Sequence, residues 1–293
     1  MLPEKPSVAG RPQGIDPLTE WLASIGEARP HTLDAYTDAV FLRAAPYIAG
    51  RDPRTLGPAE AELVVRALRR RYAPATVNQT VSALSSLWRH LQRRGVVTDN
   101  PWRLVARETP KNTVAERFLT RQEVRRMLLS APDYRSRVLL AMLYATGARI
   151  SELVRPRNTP PNSPRGLRWR DIRFEPDGWA YATLYGKGGK TRTVGVRPEV
   201  AKMLKYLGPG DPDEAVFPFT RVYAWMLVKE CARRAGVSGK VSPHWLRHSH
   251  AVHALEAGAP INLVQATLGH ARLDTTGIYL KVRPGRGTGE YLQ

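Results

Sequence analysis

The chain has 293 residues, with 45 Lys and Arg against 26 Asp and Glu, and a formal net charge of +19. A pI near 10.6 points to a polyanionic partner, because cations that neutralise phosphates release condensed counterions. A hydrophobic share of 42% excludes a disordered basic tail, and the single cysteine, Cys231, excludes an internal disulfide or a multi-thiolate zinc site.

Residues 1–14 contain Pro and Gly and lack an apolar core, so they read as a flexible N-terminus and not as a signal peptide. The next segment, 15–98, reads as four helices. Pro17 to Ile25 carries Leu18, Trp21, Leu22 and Ile25 at helical spacing. Thr32 to Ile48 puts Leu33, Tyr36, Val40 and Phe41 on one side. Pro58 opens a third helix at a favoured first-turn position, running to about Tyr72. Thr76 to Arg94 is a fourth, striped by Val77, Val81, Leu84, Leu87, Trp88 and Leu91 and stopped by Gly95. Short connections between four helices predict a small bundle. Its candidate DNA contacts are Arg69, Arg70, Arg71, Asn78, Arg89 and Arg93. For the arginines, the competing reading is a solvated face with cations near helix C-termini, where the dipole favours them.

Asp99-Asn100-Pro101 breaks the helical pattern, and the stretch 99–116 reads as an interdomain linker. The part from 117 to 282 is mixed. Thr120 with Glu123 forms a capping-box pattern before a helix to Ser130, and Arg135 to Thr146 is apolar enough to be buried. Leu167 to Phe174, Trp179 to Tyr185 and Thr191 to Val196 alternate as strands, the last two joined by the tight turn Gly186-Lys187-Gly188-Gly189-Lys190. Helices resume at about 198–207, 219–235, 244–257, 261–268 and 272–282, and 283–293 reads as a tail. The fold class is therefore mainly α with a small antiparallel β-sheet. Arg155 to Gly166, RPRNTPPNSPRG, reads as a Pro-stiffened surface loop, either an inert insertion or a DNA or partner contact. No stretch approaches the ~20 apolar residues that span a bilayer, so the expectation is a soluble cytoplasmic protein with no membrane association.

Tyr279 is the candidate nucleophile. A phenol titrates at about 10, so it needs neighbouring cations or a positioned base to attack at neutral pH. His244 and Arg247, spaced i, i+3, share a helical face behind Pro243, at a helix N-terminus that suits an anion. An Arg fork holds both non-bridging oxygens of a phosphate, which gain charge in the transition state. Arg149 follows Thr146-Gly147 at a helix junction, suited to the other side of that phosphate. Glu152 is placed to orient Arg149 or His244, or to form an ordinary helix salt bridge. Lys187 in the hairpin turn suits protonation of a leaving 5′ oxygen. Lys190 and Arg192 beside it are candidate contacts to backbone phosphates. His270, after Gly269, is a candidate donor to the scissile phosphate, while His248 reads as structural.

Two competing motifs fail. GKGGKT resembles the end of a P-loop, but that pattern requires Gly where Leu184 stands. His244, His248, His250 and His253 lack the carboxylate set or Cys pair of a metal site, so no metal is expected.

The order Arg149, Lys187, His244-x-x-Arg247, His270, Tyr279 resembles the tyrosine recombinases, the phage-integrase family. ATGARISEL, GKGGKTR, HWLRHSHA and LGHARLDTTGIY are most similar to its bacterial Xer-type members. The resemblance implies a helical core-binding domain opposite a mixed α/β catalytic domain, forming a C-shaped clamp on double-stranded DNA. It implies a specific inverted-repeat core site and a homo- or hetero-tetramer on two DNA sites, exchanging C-terminal tails. It also implies a 3′-phosphotyrosyl intermediate and strand exchange through a Holliday junction, with possible accessory proteins. No cofactor is implied, because the phosphotyrosine conserves the bond energy. Carried over by position, Tyr279 is the nucleophile and Lys187 the general acid. Arg149, Arg247 and His270 hold the phosphate, and His244, with Glu152 in support, is the base. The expected role is Xer-like chromosome or plasmid dimer resolution, in association with the nucleoid. Alternatives are an integrase or resolvase of a mobile element, a type IB topoisomerase-like enzyme, or a non-catalytic DNA-binding protein. Ala148 stands where the family usually has Leu, and the segment 155–166 looks inserted.

Overall fold

The computed structural model describes residues 17–28, 30–108, 117–155, 166–186, 189–237 and 239–269. The chain divides into two compact units, Met1–Lys111 and Asn112–Gln293.

The first unit is helical: α1 (Pro17–Ala28), α2 (Pro30–Thr37), a π-helical segment (Asp38–Ala44), α3 (Ala45–Ile48), α4 (Pro58–Arg69) and α5 (Pro74–Arg93). Proline opens α4 and α5 in the first turn, where its missing N–H costs nothing. Every member of the stripe read for α5, Val77 to Leu91, is buried. The second predicted helix differs. Its i→i+5 segment inserts one residue and turns the face, so Val40 is buried with Ala39 and Ala44 while Phe41 is 42% exposed. Within the stretch read as a linker, Pro101–Arg103 forms a 3-10 turn, and Trp102 is buried edge-on against Trp88.

The second unit contains α6 (Arg121–Leu129), α7 (Tyr134–Thr146), α8 (Ile150–Leu153), β1 (Val154–Arg155), β2 (Ile172–Phe174), β3 (Ala180–Tyr185), β4 (Thr191–Val196), α9 (Pro198–Leu207), β5 (Phe217–Thr220), α10 (Arg221–Arg234), α11 (Pro243–Glu256) and α12 (Ile261–Leu268). The Thr120–Glu123 capping box caps α6. Val138 to Leu143 of α7 are all buried, which makes α7 the axis of the core, with β3, β4, α9 and α10 contributing around it. Fully burying one such aliphatic side chain contributes about 1.5–3 kcal/mol. The sheet is antiparallel in the order β2-β3-β4.

Two expectations are corrected here. The strand read over 167–174 holds only as β2, because Trp169–Asp171 is a 3-10 turn capped by the Asp171 carboxylate on the Arg168 N–H. The helix read from 219 begins at Arg221, because Phe217–Thr220 pairs in parallel with β1 first. The Pro-rich stretch 156–165 and the helix read over 272–282 lie outside the described residues. Among the described residues no helix is long and apolar enough to cross a membrane.

Candidate active site

The site begins where α7 stops. Gly147 takes φ +60, a left-handed conformation that ends the helix without a Cβ penalty. A Cβ there would lie 2.7 Å from Leu268 and 2.8 Å from His250, so the close packing of α11 and α12 requires glycine as well. Ala148 is fully buried, and Arg149 then becomes the N-cap of α8. The Arg149 backbone N–H donates to Glu152 Oε2 at 2.7 Å, and its Nη1 donates to Oε1 at 3.0 Å. The Arg149 side chain remains about one-third exposed while Glu152 is buried. Glu152 thus faces Arg149, in the i, i+3 arrangement that a helix salt bridge shares with an orienting contact.

Glu152 has a second partner. Arg192 on β4 donates Nη1 to Oε1 at 2.9 Å and Nη2 to Oε2 at 2.8 Å, and its Nε donates to the Thr267 carbonyl at 2.7 Å. Burial pushes the Glu152 carboxyl up, but the bonds and charges of Arg192 and then Arg149 outweigh it and hold the pKa below the ordinary value. Reading Arg192 as a backbone-phosphate contact is thereby corrected: its fork is occupied inside the protein. Lys190 is exposed.

The helix α11 supplies the other predicted groups. Pro243 is its first residue, and His244 is exposed at its N-terminus. Desolvation, then Arg247, Arg149 and Arg221, lower the His244 pKa, which favours the neutral imidazole. Arg247 is buried and donates Nη1 to the Gly147 carbonyl and Nη2 to the Leu268 carbonyl, both at 2.6 Å. Those bonds fix its guanidinium plane at the C-terminal ends of α7 and α12. His250 pairs Nδ1 with the Tyr144 carbonyl at 2.9 Å and is pushed down to about 4, chiefly by burial. His253 pairs with the Tyr144 hydroxyl at 2.8 Å. Among the described residues no group of three or more His, Cys, Asp or Glu is placed to hold a metal ion.

Lys187, His270 and Tyr279 lie outside the described residues. Two glycines next to them in the chain do not. A Cβ on Gly186 would lie 3.5 Å from Glu152 Oε1 and 3.9 Å from Arg192 Nη1, and a Cβ on Gly269 would lie 3.2 Å from Arg192. The Gly186 N–H donates to the Lys190 carbonyl at 2.7 Å, closing the turn. Glu152 and Arg192 thus join the α7–α8 junction, the β3–β4 hairpin and the end of α12. No local motif announces this pair, since its members are 40 residues apart on different elements.

On the helical unit the candidate contacts divide. Arg70, Arg71, Arg89 and Arg93 are exposed. Arg69 instead binds Glu62 at 3.1 Å, Glu108 at 2.7 Å and the Ala106 carbonyl at 3.1 Å. Asn78 clasps the Glu108 backbone through both its amide nitrogen, 2.7 Å, and oxygen, 3.2 Å. Residues 106–108 fold back across α4 and α5 and take these donors, so Arg69 and Asn78 act as internal ties.

A family model described as "Phage integrase family" matches residues 117–286. The chain is 35% identical to the tyrosine recombinase XerD of Neisseria meningitidis over 225 residues, covering 70% of this chain and 71% of that protein. It is 30% identical to a tyrosine recombinase of Thermosipho africanus over 286 residues, covering 92% and 94%. Among solved structures, the pre-cleavage complex of XerH site-specific recombinase with difH substrate aligns with a TM-score of 0.68 at 20% identity, covering 94% of this chain and 82% of that one. A lambda integrase (75–356) dimer bound to a COC′ core site aligns with a TM-score of 0.71 at 16% identity, covering 92% and 95%. At such identities these two likenesses speak for the fold.

Proposed function

The chain belongs to the phage integrase family, in its Xer-type tyrosine recombinase branch, and on that premise we propose how its residues carry out site-specific DNA recombination. Tyr279 attacks the scissile phosphorus through its phenolic oxygen. The P–O bond to the 5′ oxygen breaks, leaving a 3′-phosphotyrosyl linkage and a 5′-hydroxyl. Lys187 gives its proton to the departing oxygen, which is otherwise a poor alkoxide. His244 takes the phenol proton, and its depressed pKa supports this role, because only a neutral imidazole accepts. Arg149, Arg247 and His270 hold the non-bridging oxygens as their charge grows. The 5′-hydroxyl of a partner strand then attacks the phosphotyrosine, the same exchange in reverse, so the number of phosphodiester bonds is unchanged and no cofactor is consumed.

The observation that carries this reading is the Glu152 clamp. It holds the Arg149 guanidinium at a fixed place beside the chain positions that precede Lys187 and His270. The partner is duplex DNA with an inverted-repeat core site, contacted by both the helical unit and the catalytic unit. Four subunits on two sites, tied by exchange of the 283–293 tail, pass strands through a Holliday junction. The biological task is resolution of chromosome or plasmid dimers in the cytoplasm.

The test uses a nicked duplex selected by binding from a randomised pool. Wild-type protein should accumulate a detergent-stable covalent protein–DNA adduct, and Tyr279→Phe should form none. An adduct that persists in Tyr279→Phe would remove Tyr279 as the nucleophile.

A further inference from the structure

We propose that Arg192 is a positioning residue that neutralises Glu152, so that the Arg149 guanidinium is held in place without being drawn off the phosphate. The inference rests on the recombinase reading above and deepens it. The geometry is that of a carboxylate shared by two guanidiniums. Glu152 Oε1 accepts from Arg149 Nη1 at 3.0 Å and Arg192 Nη1 at 2.9 Å, while Oε2 accepts from the Arg149 backbone at 2.7 Å and Arg192 Nη2 at 2.8 Å. The two contributions are unequal. Arg192 meets the carboxylate with its full two-pronged fork and has a side chain only 13% exposed, whereas Arg149 offers one side-chain nitrogen and is 35% exposed.

The asymmetry has a consequence. A buried carboxylate needs a compensating charge nearby. With Arg192 present, most of that compensation comes from β4, and Arg149 keeps an exposed, cationic face. With Arg192 absent, Arg149 becomes the only cation among the described residues that is hydrogen-bonded to Glu152, and its attraction there competes with the scissile phosphate. Arg192 Nε also donates to the Thr267 carbonyl, and its guanidinium would lie 3.2 Å from a Cβ placed on Gly269. The same side chain thus fixes the chain immediately before His270. Removing it should disturb two phosphate-binding positions while leaving contacts to the rest of the DNA intact.

The experiment measures single-turnover cleavage of the nicked duplex, together with duplex affinity, for Arg192→Met, Glu152→Gln and the double variant. Hydrogen-bonded partners that orient metal ligands typically contribute ~10–100-fold to activity, and a partner that orients a phosphate-binding arginine is expected on the same scale. Arg192→Met should therefore slow cleavage at least about tenfold, with duplex affinity changed far less. Adding Glu152→Gln removes the uncompensated charge but keeps an acceptor for Arg149, so the double variant should cleave faster than Arg192→Met alone. A merely structural role predicts the opposite, a double variant no faster than the single. Should Arg192→Met fail to fold, Arg192→Gln, which keeps a hydrogen-bond donor without the charge, takes its place, and the same slowing and the same rescue by Glu152→Gln are expected. Cleavage by Arg192→Met within twofold of wild type, or no rescue in the double variant, overturns the proposal. Failure of the recombinase reading is distinct, because the wild-type protein would then form no adduct on the same duplex.

Discussion

At the scale of single residues, the sequence announces the reacting groups and the nearer of the two side chains on Glu152, and conceals the farther one, Arg192. Arg149, His244 and Arg247 are legible because their spacing and flanking Gly and Pro place them at helix ends. The contact of Glu152 with Arg149 is legible from its i, i+3 spacing, but Arg192 as its second partner is not, because a long-range ion pair leaves no periodicity. Arg69 and Asn78 mislead for the same reason: nothing local tells that residues 106–108 return to claim their donors. The Glu152 pair also sets a pH dependence. The folded pKa lies below the ordinary 4.5. Its stabilising contribution is therefore complete above about 4.5 and is lost as pH falls through the lower folded value. Glu152→Ala at neutral pH strands Arg192 against the end of α12, and loss of one member of a buried pair costs about 3–5 kcal/mol. Urea unfolding of the two proteins at pH 7 and in acid should show this cost shrinking as the pH drops. A cost that stays constant with pH would show that the carboxylate charge is not what Glu152 contributes.

At the scale of elements, most helices and the β3–β4 hairpin follow from capping residues and period alone. The exceptions are those that tertiary pairing imposes. The π segment rotates Phe41 outward against its helical phase, and Phe217–Thr220 pairs with β1 where its sequence merges with the next helix. The hairpin matters most for function, because Leu184 is buried on one strand and its register partner Arg192 is bonded to Glu152 on the other. That anchoring fixes the strand end from which the chain leaves toward Lys187, the proposed proton donor. Lys187→Ala should slow cleavage of an ordinary nicked duplex by about 10²–10⁴-fold, the usual contribution of a general acid. A duplex with sulfur in place of the 5′-bridging oxygen should recover most of the lost rate, since a thiolate departs without a proton. Equal slowing on both duplexes would take the proton donor's role away from Lys187.

At the scale of the whole molecule, the net charge of +19 speaks of partner class and not of where that partner lies. Internal pairing narrows the choice. On the helical unit, a cleft of about 600 Å³ is lined by Trp21, Tyr36, Ser82, Arg89, Arg93 and Arg107. Arg107 there is committed to the Asn78 carbonyl and Ser82, but Arg89 and Arg93 stand exposed on α5. Arg69 is tied to two glutamates of its own unit. Each phosphate neutralised by a protein cation adds about −0.9 to the slope of log affinity against log salt. Arg89→Ala with Arg93→Ala should therefore make the slope for duplex binding shallower by about one to two, weakening all duplex sequences alike. Arg69→Ala should leave the slope where it is and lower the thermal midpoint of the helical unit, because its loss unpairs Glu62 and Glu108. Titrations at several salt concentrations separate the two behaviours. An unchanged slope in the α5 double variant would mean that the exposed arginines of α5 are a solvated face and that phosphate is read elsewhere on the molecule, and a shallower one in Arg69→Ala would mean that Arg69 leaves its glutamates for phosphate.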